Sequence, residues 1–385
     1  MARKPAQRGR SRPSRNVKPE ADDEAPRSGL SPLLIVTFLL LALLGGVIGW
    51  LALGDGGRAM PSVSLTLDAT ANGQVEELMA SPPRPVPVTP PAATPAAIPA
   101  EAVNRRTLPV SLSADGKISL APVPDPMLVE QTVVGSLPRI AEDGARAWHV
   151  YAHPAPPANG RPRIAVVISG MGLSEVPTRL AVQRLPAPVS LAFTPYGEAL
   201  QEWVAQARAS GHEVLLELPM EPYDYPENDP GPHALLTSLS AEENTDRLEW
   251  LLSRFSGYAG VINFFGGKFS TAETALGPVM AELKGRGLMI VDNQSASRSK
   301  ISDVAKQIDL PCVSATSQLD TDLTAAGIDA KLADLEKKAV AEGFAAAVGS
   351  PFPLTIERIN LWAEQLNAKG IILVPVTALI SEDIK

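Results

Sequence analysis

Two acidic side chains stand where an acid is costly. Glu217 lies inside the apolar run Leu215-Leu216-Glu217-Leu218-Pro219-Met220, and Asp292 closes the run Ile290-Val291 just ahead of Asn293. A carboxylate in apolar surroundings serves as a general base, a metal ligand, or the partner of a nearby Arg or Lys. At Asp292 an N-cap role for the next helix competes with these. His233 follows the turn-rich stretch Glu227-Asn228-Asp229-Pro230-Gly231-Pro232, where it reaches a substrate or is simply solvated. His212, just ahead of an apolar run, belongs to the opposite end of the fold and reads as structural. Ser169-Gly170-Met171-Gly172 is glycine-rich, but it has neither the GxGxxG spacing nor a Walker lysine, so a nucleotide reading is poor.

These residues need elements to hold them. From Arg161 onward, short apolar runs alternate with amphipathic segments. Strands are expected at 163–168, 189–193, 213–218, 260–263, 288–291, 310–313, 345–348 and 371–376. Helices are expected near 174–184, 197–210, 298–308, 328–343 and 355–368. Ser240-Ala241-Glu242-Glu243 and Ser270-Thr271-Ala272-Glu273 both fit the capping box, which marks two further helix starts. Gly285 and Gly287 end the second of these. Trp203, Trp250 and Trp362 fall on helical segments and read as packing.

Seven to eight mainly parallel strands alternating with helices point to a deformed (β/α) barrel, since an open doubly wound sheet needs only five or six. Ligands in such folds bind at the C-terminal strand ends. That rule selects Glu217 and Asp292 as catalytic candidates. Ser169, Thr194, Asn263, Lys268, His233 and Ser350 become candidate substrate-binding residues.

Composition narrows the function classes. The 385 residues carry a net charge of −8, spread as +4 over 1–29, −3 over 30–160 and −9 over 161–385. An acidic body offers nothing to replace the counterions of a nucleic acid, so no nucleic-acid partner is expected. The lone cysteine, Cys312, excludes an intrachain disulfide and a CxxC zinc site. The uncharged run contains Leu33–Leu53, 21 residues long, behind the basic cluster Arg3 to Lys18. That length crosses the roughly 30 Å of hydrocarbon in a bilayer. It is longer than a signal-peptide core, and Gly54-Asp55-Gly56-Gly57-Arg58 after it offers no clean cleavage site. An uncleaved single-pass anchor in the inner membrane is therefore expected, with the N-terminus cytoplasmic and the C-terminal domain periplasmic. Ser81–Glu101 is rich in Pro and Ala, as suits a semi-rigid spacer spanning about 65 Å. The expected division is a basic tail at 1–29, the anchor at 30–54, a Pro-rich linker at 55–120 and the globular domain at 121–385. Between linker and domain, 108–112 and 117–121 are expected to form a hairpin around Ala114-Asp115-Gly116.

The order of motifs adds a resemblance. RIAVVISGMG, LAFTPYG, GHEVLLELPMEPYDYPENDPGPH, GVINFFGGKF, IVDNQSA, VGSPFPLTIERI and IILVPVTALI together resemble the bacterial divergent polysaccharide deacetylase family over residues 125–385. The resemblance implies a deformed barrel and metal-assisted removal of acetyl groups from envelope amino sugars. In that chemistry a divalent ion activates water while a carboxylate and a histidine move protons. Three departures stand against it. Ser169-Gly170 replaces a pair of aspartates, Phe264 replaces the histidine of an NH-x-G motif, and Ser350 replaces the histidine of a GHP motif. No metal or other cofactor is therefore expected, and the expected role is binding of an envelope glycan or protein partner. The alternatives are a zinc-dependent or other hydrolase built on Glu217, Asp292 and His233, or a structural envelope protein.

Overall fold

The computed structural model describes residues 108–112 and 118–380; the basic tail, the apolar run 33–53 and the Pro-rich spacer lie outside them. Among the described residues no helix is long and apolar enough to cross a membrane. The lead-in forms two antiparallel hairpins, β1 (Val110–Leu112) with β2 (Ile118–Leu120) and β3 (Val129–Thr132) with β4 (Gly135–Pro138). A single helical turn, α1 (Ala147–Val150), follows them.

The main sheet is parallel throughout. It comprises β5 (Arg163–Met171), β6 (Ser190–Phe193), β7 (Val214–Met220), β8 (Gly260–Phe265), β9 (Met289–Asp292), β10 (Cys312–Ser314), β11 (Ser317–Gln318), β12 (Phe344–Gly349) and β13 (Ile372–Leu373). The strand order is β10-β9-β8-β7-β6-β5-β12-β11, with β13 on β5. Seven helices connect these strands: α2 (Glu175–Arg184), α3 (Leu200–Ala209), α4 (Ala241–Leu252), α5 (Glu273–Gly285), α6 (Ile301–Gln307), α7 (Ala325–Glu342) and α8 (Pro353–Leu366). Every strand and helix expected from periodicity is present, with ends shifted by a few residues.

Alternation along the strands sorts side chains into two apolar layers. Ile164, Val166 and Ile168 face the helices, while Ala165 and Val167 join Ala192, Leu215, Ile262 and Val291 on the concave face. Burial on both faces explains why the strands read as continuous apolar runs. The curl follows from one segment. Ala315 N–H donates to Asp292 O (2.8 Å) at the end of β9, and Thr316 N–H donates to Ala346 O (2.7 Å) in β12. The chain thus passes from one end of the strand order to the other within two residues, and the sheet curls into a parallel half-barrel, the form of the expected deformed barrel.

Two expectations are corrected. The strand expected at 371–376 stops early because Pro375 has no N–H to continue the ladder; Val376–Leu379 instead forms a 3-10 turn that packs with the concave-face core. The capping box expected at Ser270 does not form. Lys268 and Phe269 N–H groups both donate to Glu221 O (3.1 Å each), which keeps Phe269–Thr271 in a 3-10 turn, and α5 starts at Glu273 with no side-chain cap. At Ser240 the box is complete: Ser240 Oγ accepts from Glu243 N–H (3.1 Å) and Glu243 Oε2 from Ser240 N–H (2.8 Å).

The lead-in is fastened to the barrel by Arg208 of α3, which is 2% exposed. Its Nε donates to Ala121 O (3.1 Å), its Nη1 to Tyr151 O (3.0 Å), and its guanidinium lies 5.4 Å from the Tyr151 ring centre. Burial lowers its pKa to about 10. Arg208→Ala should cost about 3 kcal/mol in urea denaturation, because two carbonyls lose their donors and the packed stem is lost. Arg208→Lys should recover less than half of that, since a point ammonium cannot reproduce the fork.

Candidate functional site

Glu213, Glu217 and Glu221 are spaced by four along β7 and its flanks, so a two-residue period sets all three on the face that carries Leu215. Depth then separates them. Glu213 sits below the strand start, at the floor, and is fully buried. Its Oε1 accepts from Ser190 Oγ (3.2 Å) and Thr377 N–H (3.3 Å), and its Oε2 from His153 N–H (3.2 Å) and Thr377 Oγ1. Glu221 is at the rim, where Oε1 pairs with Lys268 Nζ (2.7 Å) and Oε2 accepts from Thr237 N–H and Oγ1 (2.6 Å each). Burial pushes Glu221 up, but Lys268 and Thr237 together hold it below the usual carboxylate range.

Glu217 lies between them in the mouth of the barrel, 1% exposed. Its Oε1 accepts from Ser169 Oγ and from Gly170 N–H. Both donors come from an irregularity in β5. Ile168 pairs with Leu191 and Met171 with Phe193, so three steps on β5 oppose two on β6. Such a bulge frees a residue from the ladder and re-aims its neighbours. Gly170 occupies it with φ +86°, where a side chain would be strained. Burial pushes the Glu217 carboxyl up to about 7, against the opposing pull of Ser169 and Gly170.

The other candidates fall into separate groups. Asp292 follows Val291 of the concave face and so turns the opposite way. Its Oδ1 accepts from Gln294 N–H (2.9 Å) and its Oδ2 from Gln294 Nε2 (2.9 Å). Burial raises its pKa, with Gln294 and Ser299 drawing it back, and no contact joins it to Glu217 among the described residues. The N-cap reading is corrected: α6 begins only at Ile301, and Asp292 closes a turn instead. Burial, then Asp292, pushes the Cys312 thiol up to about 12, so it is no nucleophile.

Asn263 bridges to Asn293, donating to its Oδ1 (2.8 Å) and accepting from its N–H (2.8 Å). Lys268 is committed to Glu221. Ser350 N–H donates to Asp320 Oδ2 (2.6 Å), which also accepts from Thr355 Oγ1 (3.2 Å). Thr194 is buried at the end of β6, its N–H on Met171 O (2.9 Å). His233 stacks on Trp250, ring centres 3.5 Å apart and planes at 3°, while Arg254 lies 4.6 Å from the same indole. Burial, then Arg247 and Arg254, lowers the His233 pKa.

The structure thus brings Ser169 to Glu217 and leaves Asp292, Lys268, His233 and Ser350 in groups of their own. Asp320 and the stacking role of Trp250 were not foreseen. The acids of Asp320-Thr321-Asp322 are visible in the sequence, but the bend that brings Asp320 to Ser350 is not.

The donor set can be tested against a divalent metal. Among the described residues no three His, Cys, Asp or Glu side chains are gathered as metal ligands. The carboxylates around the mouth are dispersed, Glu217 on Ser169 and Gly170, Glu221 on Lys268 and Asp320 on Ser350, and this donor set does not fit such an ion.

Residues 166–380 match the divergent polysaccharide deacetylase family, and the chain belongs to it. It is similar to the uncharacterized protein YibQ of Escherichia coli (strain K12), with 23% identity over 220 residues, 57% of this chain and 68% of that one. It is also similar to the crystal structure of an uncharacterized protein from Agrobacterium tumefaciens C58. The two share 39% identity at a TM-score of 0.63, over 64% of this chain and all of the other.

Raising a carboxyl to about 7 means that the folded state favours its protonated form. Its stabilising contribution is present below the unfolded pKa near 4.5 and is lost as pH rises through about 7. Glu217→Gln should therefore be more stable than wild type at pH 8, by on the order of 3 kcal/mol, and nearly equal to it at pH 4.5. Thermal unfolding of both proteins across that range measures the difference.

Proposed function

We propose that this chain is a membrane-tethered envelope protein whose barrel mouth binds a glycan without metal-assisted hydrolysis. One observation carries the reading: Ser169, Gly170, Phe264 and Ser350 stand where the resemblance implies metal ligands, and the Glu217 carboxylate beside them is held by Ser169 and Gly170. The rim supports it further. Tyr223 (62% exposed) and Tyr225 follow β7, Phe265 (39%) ends β8 and Phe352 (43%) follows β12. Exposed rings around a polar mouth suit the apolar faces of sugar rings, while the polar groups between them fix orientation. Gly267 gives Tyr223 its place, since a Cβ there would stand 2.9 Å from the ring. The apolar run 33–53 supports an inner-membrane anchor, 55–120 a spacer, and 121–385 the periplasmic domain.

Calorimetric titration of the full chain in detergent with N-acetylated peptidoglycan fragments tests this. Saturable binding is expected, weakened roughly tenfold by Tyr223→Ala or Phe265→Ala. Binding should be unchanged by Val340→Ala, which is exposed on α7 away from the rim. No saturable binding, or one equivalent of tightly held Zn²⁺ at the mouth, would overturn the reading.

A further inference from the structure

Glu213 and Glu217 are buried alike on one face of one strand, yet they are satisfied differently. At the floor, Glu213 uses both oxygens to accept four hydrogen bonds. In the mouth, Glu217 accepts on Oε1 alone, and Oε2 has no protein partner among the described residues. A carboxylate kept only for structure uses both oxygens on the protein, whereas Oε2 of Glu217 is not enclosed and faces the mouth. Glu217 instead concentrates on one hydroxyl, and Ser169, which bears it, is only half-buried at the head of a bulge.

We propose that Ser169 and Glu217 are a nucleophile and its base, transferring an acyl group through an acyl-serine without a metal. The arrangement has the parts such a pair requires: nucleophile and base in hydrogen-bond contact, and a third group, the Gly170 N–H, orienting the base. Burial supplies a base matched to neutral pH.

The chemistry balances with water as the only co-reactant. Glu217 takes the Oγ proton as Oγ bonds to the acyl carbon, and the carbonyl electron pair moves onto its oxygen. Collapse of that adduct breaks the bond to the leaving oxygen, which receives the proton from Glu217. The acyl group is then an ester of Ser169. Water attacks that ester as Glu217 takes its proton; Oγ departs, recovers the proton, and a carboxylic acid is released. With no ion to polarise the carbonyl, an ester suits this route better than an amide, since its carbonyl is the more electrophilic. The substrate class is therefore an O-acetyl ester on a sugar. The sugar part of that assignment rests on the glycan reading above; the dyad does not.

The test uses the full chain in detergent with a fluorophosphonate probe, which phosphonylates an activated serine and releases fluoride. Mass mapping should place the label on Ser169, and the labelling rate should climb with pH and level off above about 7. Ser169→Ala should abolish labelling, and Glu217→Gln should slow it at least 100-fold although it is no less stable than wild type at any pH of the assay. Rapid release of nitrophenolate from 4-nitrophenyl acetate, with an acetyl group trapped on Ser169, is the matching result with an ester. No label on Ser169, a rate indifferent to Glu217→Gln, or a rate flat from pH 5 to 9 would overturn the dyad. Loss of labelling alongside intact glycan titration sinks the dyad alone, and intact labelling without glycan binding sinks only the binding reading.

Discussion

Acids placed in an apolar strand need hydrogen-bond donors, and β7 has three on one face. Each is supplied from a different part of the chain. Glu213 draws on Thr377 near the end of the described chain, Ser190 of β6 and the backbone of His153. Glu217 draws on the β5 bulge, and Glu221 on the loops after β7 and β8. Burying such a group unpaired costs several kcal/mol, so these bonds also dictate where the donor segments lie. The 3-10 turn after Pro375, the bulge at Ser169 and the refusal of Ser270 to cap α5 all follow from satisfying that strand.

Depth along the strand changes what the same residue type does. At the floor, four donors make a fixed strut. At the rim, a half-exposed lysine and a threonine hold the carboxylate ionised. In the mouth, two donors on one oxygen do not offset burial and the proton affinity rises, as it also does at the floor, where burial outweighs four donors. Solvent and the Lys268 charge separate the rim glutamate from the two buried ones, since all three are glutamates on the same face.

Much of the architecture was legible because it is local. Apolar runs of β-branched residues marked the strands, and the Ser240–Glu243 box and Gly287 marked helix ends. The hairpin of β1 and β2 was equally visible in alternation around Ala114-Asp115-Gly116. What was not legible depends on partners far apart in sequence. The bend at Ala315–Thr316 exists because β9 and β12 both accept from it. The stack of His233 on Trp250 joins a loop to a helix. Glu217 and Asp292 looked alike as acids in apolar strands, but strand parity sends them to opposite faces. Parity at a strand end is hard to assign before the register is known, and one residue's error reverses it.

Family membership sharpens what the substitutions do. A divalent ion in the mouth would hold nearby carboxylates ionised as its ligands and leave them poor proton acceptors. Ser169 and Gly170 stand where the resemblance implies a pair of acids, and Glu217 has only their neutral dipoles to stabilise its charge. Those dipoles pull its pKa down less than burial pushes it up. Two features thus coincide at one place: the residues present do not fit a metal, and burial leaves Glu217 with a proton affinity matched to neutral pH. The Ser169 hydroxyl, standing where the resemblance implies an acid, lies against that glutamate, so the proposed nucleophile occupies the same position as the departure from the family pattern.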